Sequence, residues 1–350
     1  METSIEPDYR NILNAVHRIK PKRLPFYEHI IDISIMEKIL DYKFSDLYYG
    51  NKKEKREYFR SFINFFKKMH YDTVSFECLI TSILPGSGSL YSHKEPVIKN
   101  RDDFLSYPWD ELPKTFFDKY GEDFLLLEEE MFPGMMAVGG PGNGIFESLQ
   151  DIVGLSNLSL LSVDDPELYR NLFVKMGEVH YSIWKTFLEK YSQNFIVCRF
   201  GDDLGFKTST ILNPDDIREL IIPQYKKIVS LVHAYKKPFI LHSCGNIFVI
   251  MEDLINTVNI DVKHSNEDVI APFTEWQKKY GDRIALFGGV DMSFVCNASE
   301  NEVKEYVHNL LKDAIKFPGF ALGTGNSVPD YMPVKNYVAM IESARDFMNI

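Results

Sequence analysis

Short runs of β-branched and aromatic residues alternate along the chain with longer stretches whose apolar positions recur every three or four residues. The short runs fall at residues 23–28 (RLPFYE), 71–78 (YDTVSFEC), 134–139 (GMMAVG), 194–200 (NFIVCRF), 238–244 (PFILHSC), 260–265 (IDVKHS), 283–288 (RIALFG) and 319–323 (GFALG). Several are almost wholly apolar, as strands are when both faces of a parallel sheet are covered. Helix signals fill the gaps. Asn213 suits an N-cap and Pro214 the first helical position, and Ile217, Leu220, Ile221, Tyr225, Ile228 and Val232 continue that pattern. Pro223 falls inside it and predicts a kink. Ser299 and Glu302 form a capping-box pattern, and Asp164-Asp165-Pro166-Glu167 opens another helix. Eight strand–helix units predict an α/β fold closed into a (β/α)8 TIM barrel. Residues 85–133, with Gly86, Gly88, Pro96, Pro108 and Pro113, are too long and turn-rich for a simple connection. They are read as an insertion or lid over one end of the barrel.

Length and composition agree with this picture. A chain of 350 residues suits one barrel domain with an insertion. Fifty acidic against 39 basic residues give a net charge of −11, which excludes general attraction to nucleic acid or anionic membrane. No run approaches the roughly 18 consecutive apolar residues of a membrane helix. The first 25 residues are polar and charged, without the pattern of a secretion signal. Cys78, Cys198, Cys244 and Cys296 are widely spaced, so reduced thiols and a cytoplasmic location are expected.

In a barrel of this kind the reactive groups stand at the C-terminal ends of the strands. The polar residues there are Glu77, Asp202, Asp203, His242, Cys244, His264, Asp291, Thr324 and Asn326. His242 and Cys244 are two apart on a strand and face the same way, an arrangement that makes half a zinc site. The same pair also fits a small buried thiol beside a hydrogen-bonded imidazole. Of Asp202 and Asp203, one is expected to act in the site and the other to shape the turn, with Asp203 preferred for chemistry. Asp203, Glu77 and His264 are the candidate catalytic residues, and Asp202, Asp291 and Asn326 the candidate substrate-binding ones. Glu77 ends an apolar strand, where a charge is costly unless paired or facing water.

These residues carry a resemblance. FGDDLGFKTSTILNPDDIRELIIPQYKKIVS at 200–230, followed in order by LHSCGNI, DVKHSNED, YGDRIALFGGVD and ALGTGNSVPDYMPVKNY, resembles the uroporphyrinogen decarboxylase superfamily over residues 130–350. The resemblance implies a (β/α)8 barrel and one of two chemistries. Decarboxylases of the superfamily act without cofactor and carry an N-terminal motif similar to MRQAGRY and an Asp in an FSD-like strand end. Here the N-terminus reads AVHRIKPKRLPFYEH and the second position falls on Glu77. The other branch, similar to methylcobamide:coenzyme M methyltransferases, holds zinc through an HxC pair and a later Cys. His242 and Cys244 match the pair, while Thr324 stands where the later Cys is expected. A carboxylate (Glu77, Asp203 or Asp291) or His264 is the implied substitute, the alternative being a chain with no tight zinc site. The resemblance therefore implies methyl transfer between a small methylated ether, thiol or amine and a corrinoid protein. The cobalamin is expected on that partner, because the chain has no DxHxxG signature. Decarboxylation is the alternative.

Overall fold

The computed structural model describes residues 6–90 and 94–348. Among these residues seven strands, β1 (Thr73–Leu79), β2 (Met136–Gly142), β3 (Phe195–Gly201), β4 (Phe239–His242), β5 (Val262–His264), β6 (Ala285–Val290) and β7 (Phe320–Thr324), form one parallel sheet in sequence order. Each matches a run of the hydrophobic pattern to within a few residues. The crossovers contain the helices the pattern predicts. Asn213 caps the turn from Pro214 and accepts from the Asp215 N–H. Asp165 accepts from Leu168 at the start of Pro166–Lys190, and Ser299 and Glu302 form the capping box of Glu300–Ala314. Near Pro223 the winding changes: residues 217–221 are wound more widely than an α-helix before Ile222–Ala234 resumes.

The expected eighth strand, residues 23–28, is not a strand of the sheet. Phe26 makes a single parallel bridge to Leu322, and Ile31 another to Val328. Toward β1 the contact passes through a side chain, the Ser75 hydroxyl donating to the Glu28 carbonyl. Pro25 lacks an N–H, and at Glu28 the ladder is replaced: the Glu28 carboxyl, not its backbone, takes the Thr324 N–H at 3.0 Å. Gly323 permits this closeness, since a Cβ there would lie 1.7 Å from the Tyr27 carbonyl oxygen.

Alternation along the strands sorts the core into two layers. Val138, Val197, Ile240, Val262, Phe287 and Ala321 point inward, together with Tyr27 and with Ile12, Ala15 and Val16 of the helix Arg10–Val16. Their neighbours, such as Phe200, Leu241, Leu286 and Leu322, pack outward under the helices. Two residues beyond Ile240 and Val262 on the inner face come His242 and His264, placed side by side by the β4–β5 register.

Residues 85–133 divide into two parts. The helix Leu112–Glu129 buries Phe116, Phe124 and Leu127 and belongs to the β1–β2 crossover, so it is an ordinary barrel element. The part before it is tied to the end of the helix Ile145–Val153. Gly88 and Leu90 donate to the Asp151 carboxylate, and Val97 and Ile98 to the Ile152 carbonyl. Among the described residues no helix is long and apolar enough to cross a membrane.

Candidate active site at the strand ends

The strand ends bring His242, Cys244, Asp203, His264 and Asn326 together. His264, the last residue of β5, has both ring nitrogens engaged: Nε2 is 3.0 Å from the Thr324 carbonyl oxygen and Nδ1 is 2.7 Å from His242 Nδ1. A carbonyl only accepts, so His264 carries its hydrogen on Nε2 and offers a lone pair at Nδ1. His242 must then donate from Nδ1. Burial holds both imidazoles neutral, lowering His242 well below its ordinary value and His264 to about 3. The remaining lone pair of His242, on Nε2, therefore faces the mouth.

Beside that lone pair lie Cys244 Sγ at 3.3 Å and Asp203 Oδ1 at 3.7 Å. Asp203 is held in place by the Cys244 N–H, which donates to Oδ1 at 2.9 Å. Burial, and then the Asp203 charge, push the Cys244 thiol well up, so the thiol rests protonated and hydrogen-bonded to His242. Its sulfur also accepts from Asn326 Nδ2 at 3.4 Å and Ser265 Oγ at 3.6 Å. The nitrogen, sulfur and oxygen donors of His242, Cys244 and Asp203 lie within 4.8 Å of one another.

The other sequence-derived candidates have different partners. Glu77 accepts from Arg199 Nη2 at 2.8 Å, and Arg199 also donates to the Tyr27 hydroxyl at 3.1 Å. Asp202 is fully buried and caps the helix Ile145–Val153 from a distance. Its oxygens accept from Phe146 N at 2.9 Å and Glu147 N at 2.8 Å, and from the Tyr225 hydroxyl. Gly144 makes this possible, since a Cβ there would stand 2.1 Å from the Asp202 side chain. Of the two aspartates, the buried one shapes the fold and Asp203 faces the mouth. Asp291 caps Met292–Asn297 through Phe294 N at 2.9 Å and accepts from Asp268 N at 2.8 Å. The Thr324 hydroxyl turns to Glu28 and to the Asn326 carbonyl. The side chain of this loop that reaches the Cys244 sulfur is thus Asn326, not Thr324.

Four residues of the site escaped the sequence reading. His29 stacks on His242 with ring centroids 3.7 Å apart and planes 9° from parallel, and its Nδ1 is buried without a hydrogen-bond partner among the described residues. Glu147 sits on the first turn capped by Asp202. Its carboxyl is pushed well above the usual range, first by burial and then by Asp203 and Asp202. Glu28 lies behind Thr324, and Arg199 beneath Glu77. The last had a signal, a lone arginine within the apolar run NFIVCRF.

The sequence model of the uroporphyrinogen decarboxylase (URO-D) family matches residues 11–347. Among solved structures the chain is similar to a methyltransferase from Methanosarcina mazei. The two share 16% identity and a TM-score of 0.70, over 98% of this chain and 99% of that one. A candidate vitamin-B12-independent methionine synthase from Listeria monocytogenes aligns at 12% identity and a TM-score of 0.51, over 94% of this chain and 98% of that one. No curated protein sequence matches. At these identities the structures speak for the fold, whereas the family model spans nearly the whole sequence, and on that ground the chain belongs to the uroporphyrinogen decarboxylase family.

Proposed function

We propose that this chain is a methyltransferase, moving a methyl group between a small methylated ether, thiol or amine and a corrinoid carried by a partner protein. The observation that carries the reading is the donor set of His242 Nε2, Cys244 Sγ and Asp203 Oδ1 in the barrel mouth, with the histidine tautomer fixed from behind. One nitrogen, one sulfur and one oxygen from three side chains fit a catalytic zinc site, which keeps a fourth position open. When bound there, zinc supplies Lewis acidity to the heteroatom that gains or loses the methyl group. The protein's own contribution is to orient: His264 holds the His242 ring, the Cys244 N–H holds Asp203, and Asn326 directs an amide N–H at the sulfur.

The electrostatics weigh against the decarboxylase alternative. A substrate bearing several carboxylates needs free cations, yet the Arg199 guanidinium is neutralised by Glu77, and the Asp203 carboxylate faces the same region. The rim also suits a macromolecular partner. Leu79, Phe206, Val249, Val269 and Tyr331, at or beyond the ends of β1, β3, β4, β5 and β7, are all exposed. Residues 85–90 and 94–111, beside the helix Ile145–Val153, are proposed as part of that rim.

The test follows the cobalt spectrum of corrinoid proteins mixed with this chain while methylated phenols, thiols and amines are offered. Methylation or demethylation of the corrinoid is expected, abolished in His242→Ala and Cys244→Ala, with about one zinc per chain in protein purified without chelator. Release of carbon dioxide from a carboxylated substrate with no cobalamin present would establish the decarboxylase instead.

A further inference from the structure

We infer that Glu28 is a positioning residue which, as an uncharged carboxylic acid acting through Thr324, holds both His242 and Asn326 in place around Cys244. The inference rests on the proposed reading of His242 and Cys244 as the reactive pair. It does not depend on which methyl compound they serve.

The argument is a count of hydrogens. The Thr324 hydroxyl has one hydrogen and two close oxygens, Glu28 Oε2 at 2.5 Å and the Asn326 carbonyl at 2.6 Å. A carbonyl oxygen can only accept, so the hydroxyl hydrogen belongs to Asn326. The contact to Glu28 then needs a hydrogen from the carboxyl. Two bare oxygen acceptors at that distance would repel, and Glu28 is fully buried without an ion pair among the described residues. Its surroundings agree. The phenols of Tyr27, Tyr71 and Tyr337 face it, all pushed above their ordinary range by burial, and burial pushes the Glu28 carboxyl itself up to about 8.

From Thr324 two arms reach the site. The first runs through its carbonyl, which accepts from His264 Nε2. His264 Nδ1 accepts from His242 Nδ1, leaving His242 Nε2 as the lone pair beside the thiol. The second runs through its hydroxyl to the Asn326 carbonyl, while Asn326 Nδ2 donates to Cys244 Sγ. The Thr324 N–H is itself bound by Glu28, so one buried acid anchors the residue from which both arms start. Because 296 residues separate Glu28 from Thr324, only the closed fold creates the arrangement.

The experiment compares Glu28→Gln, Glu28→Met and Thr324→Val in the full chain without metal, by 15N-histidine NMR, and then by titration with cobalt(II) ion as the probe. Gln reproduces a neutral acid, donating through one atom and accepting through the other. It is expected to keep the His242 Nδ1–H and His264 Nε2–H tautomers and cobalt(II) affinity within about twofold of wild type. Met removes both interactions and is expected to mix the tautomers and weaken cobalt(II) roughly 10- to 100-fold. Thr324→Val, which keeps the carbonyl, should leave the tautomers unchanged but shift the Asn326 side-chain amide resonance. That variant and Gln carry the test if Met does not fold. Gln behaving as Met does would overturn the uncharged role, and an unmoved Asn326 resonance in Thr324→Val would overturn the second arm. Unchanged tautomers in a folded Met variant would overturn the first. Failure of corrinoid methylation with these NMR results intact would remove the proposed function and leave this inference standing.

Discussion

Arg199 of β3 and Glu77 of β1 form an ion pair inside the barrel, Nη2 to Oε2 at 2.8 Å, with the arginine side chain fully buried and the glutamate 6% exposed. The strand between them, β2, presents Gly139 and Gly140 opposite Phe76 and Glu77, so no side chain intervenes at that level. The Tyr27 hydroxyl accepts from the arginine as well. The pair leaves Glu77 committed to charge neutralisation. Removing one member strands the other charge in a dry interior.

Glu77→Gln is therefore expected to destabilise the protein by about 3–5 kcal/mol, and Glu77→Gln with Arg199→Met to recover much of the loss. Urea unfolding of the two variants checks this. A loss below about 1 kcal/mol in the single variant would show that the guanidinium is not dependent on Glu77.

Asp202 and Asp203 should separate cleanly. Asp202→Asn loses charge-assisted acceptance from two helix N–H groups and Tyr225, at about 1–3 kcal/mol, with cobalt(II) binding retained. Asp203, 40% exposed in its side chain, is expected to show the reverse. Asp203→Asn should leave stability nearly unchanged while weakening cobalt(II) by about tenfold or more. Equal metal affinity in wild type and Asp203→Asn would remove Asp203 from the donor set.

Glu28 confers a pH dependence whose sign is fixed by the direction of its shift. Its carboxyl is raised in the folded state from an ordinary 4.5 to about 8. The folded protein therefore holds a proton that the unfolded chain releases, and the associated stability is complete below pH 4.5 and lost as pH rises through 8. Relative to Glu28→Gln, wild type should lose stability steadily across that window, by up to about 5 kcal/mol at its alkaline end. Urea midpoints at intervals from pH 4 to 9 decide it, and parallel curves for the two proteins would contradict a proton on Glu28.

Lys263 lies on the outward face of β5, buried, with its ammonium 4.1 Å over the Trp276 ring and bonded to the Ser265 carbonyl. No carboxylate pairs with it among the described residues, and burial draws it down from 10.5 to about 8. The unfolded chain thus binds this proton more tightly, a penalty absent above pH 10.5 and complete below pH 8. Lys263→Met should be more stable than wild type by about 3 kcal/mol at pH 7, with the gap closing in strong alkali. Calorimetry at pH 7 and 10 measures it; a less stable Met variant at pH 7 would mean that the ammonium's bonds outweigh its desolvation.

The seven strands, the capped helices at Asn213, Asp165 and Ser299, and the clustering of His242, Cys244, Asp203, His264 and Asn326 at one end were legible from the sequence. Each follows from a local rule: the period of apolar positions, a side chain able to cap its own helix, or the parity of residues on a strand. Residues 23–28 looked like a strand by the same rule and are not one. There the choice lay with Glu28, whose carboxyl takes the backbone donor of Thr324, a partner nearly the whole chain away. The division of labour between Asp202 and Asp203 was decided at a distance in the same way, by the helix start at Phe146 and Glu147. Nor could strand parity tell that Asn326 rather than Thr324 would meet the thiol, since that depends on which hydrogens Glu28 and the Asn326 carbonyl leave free. Local pattern placed these side chains on one rim. Their protonation, tautomers and partners were set by burial and by hydrogen bonds between segments that only the folded chain brings into reach.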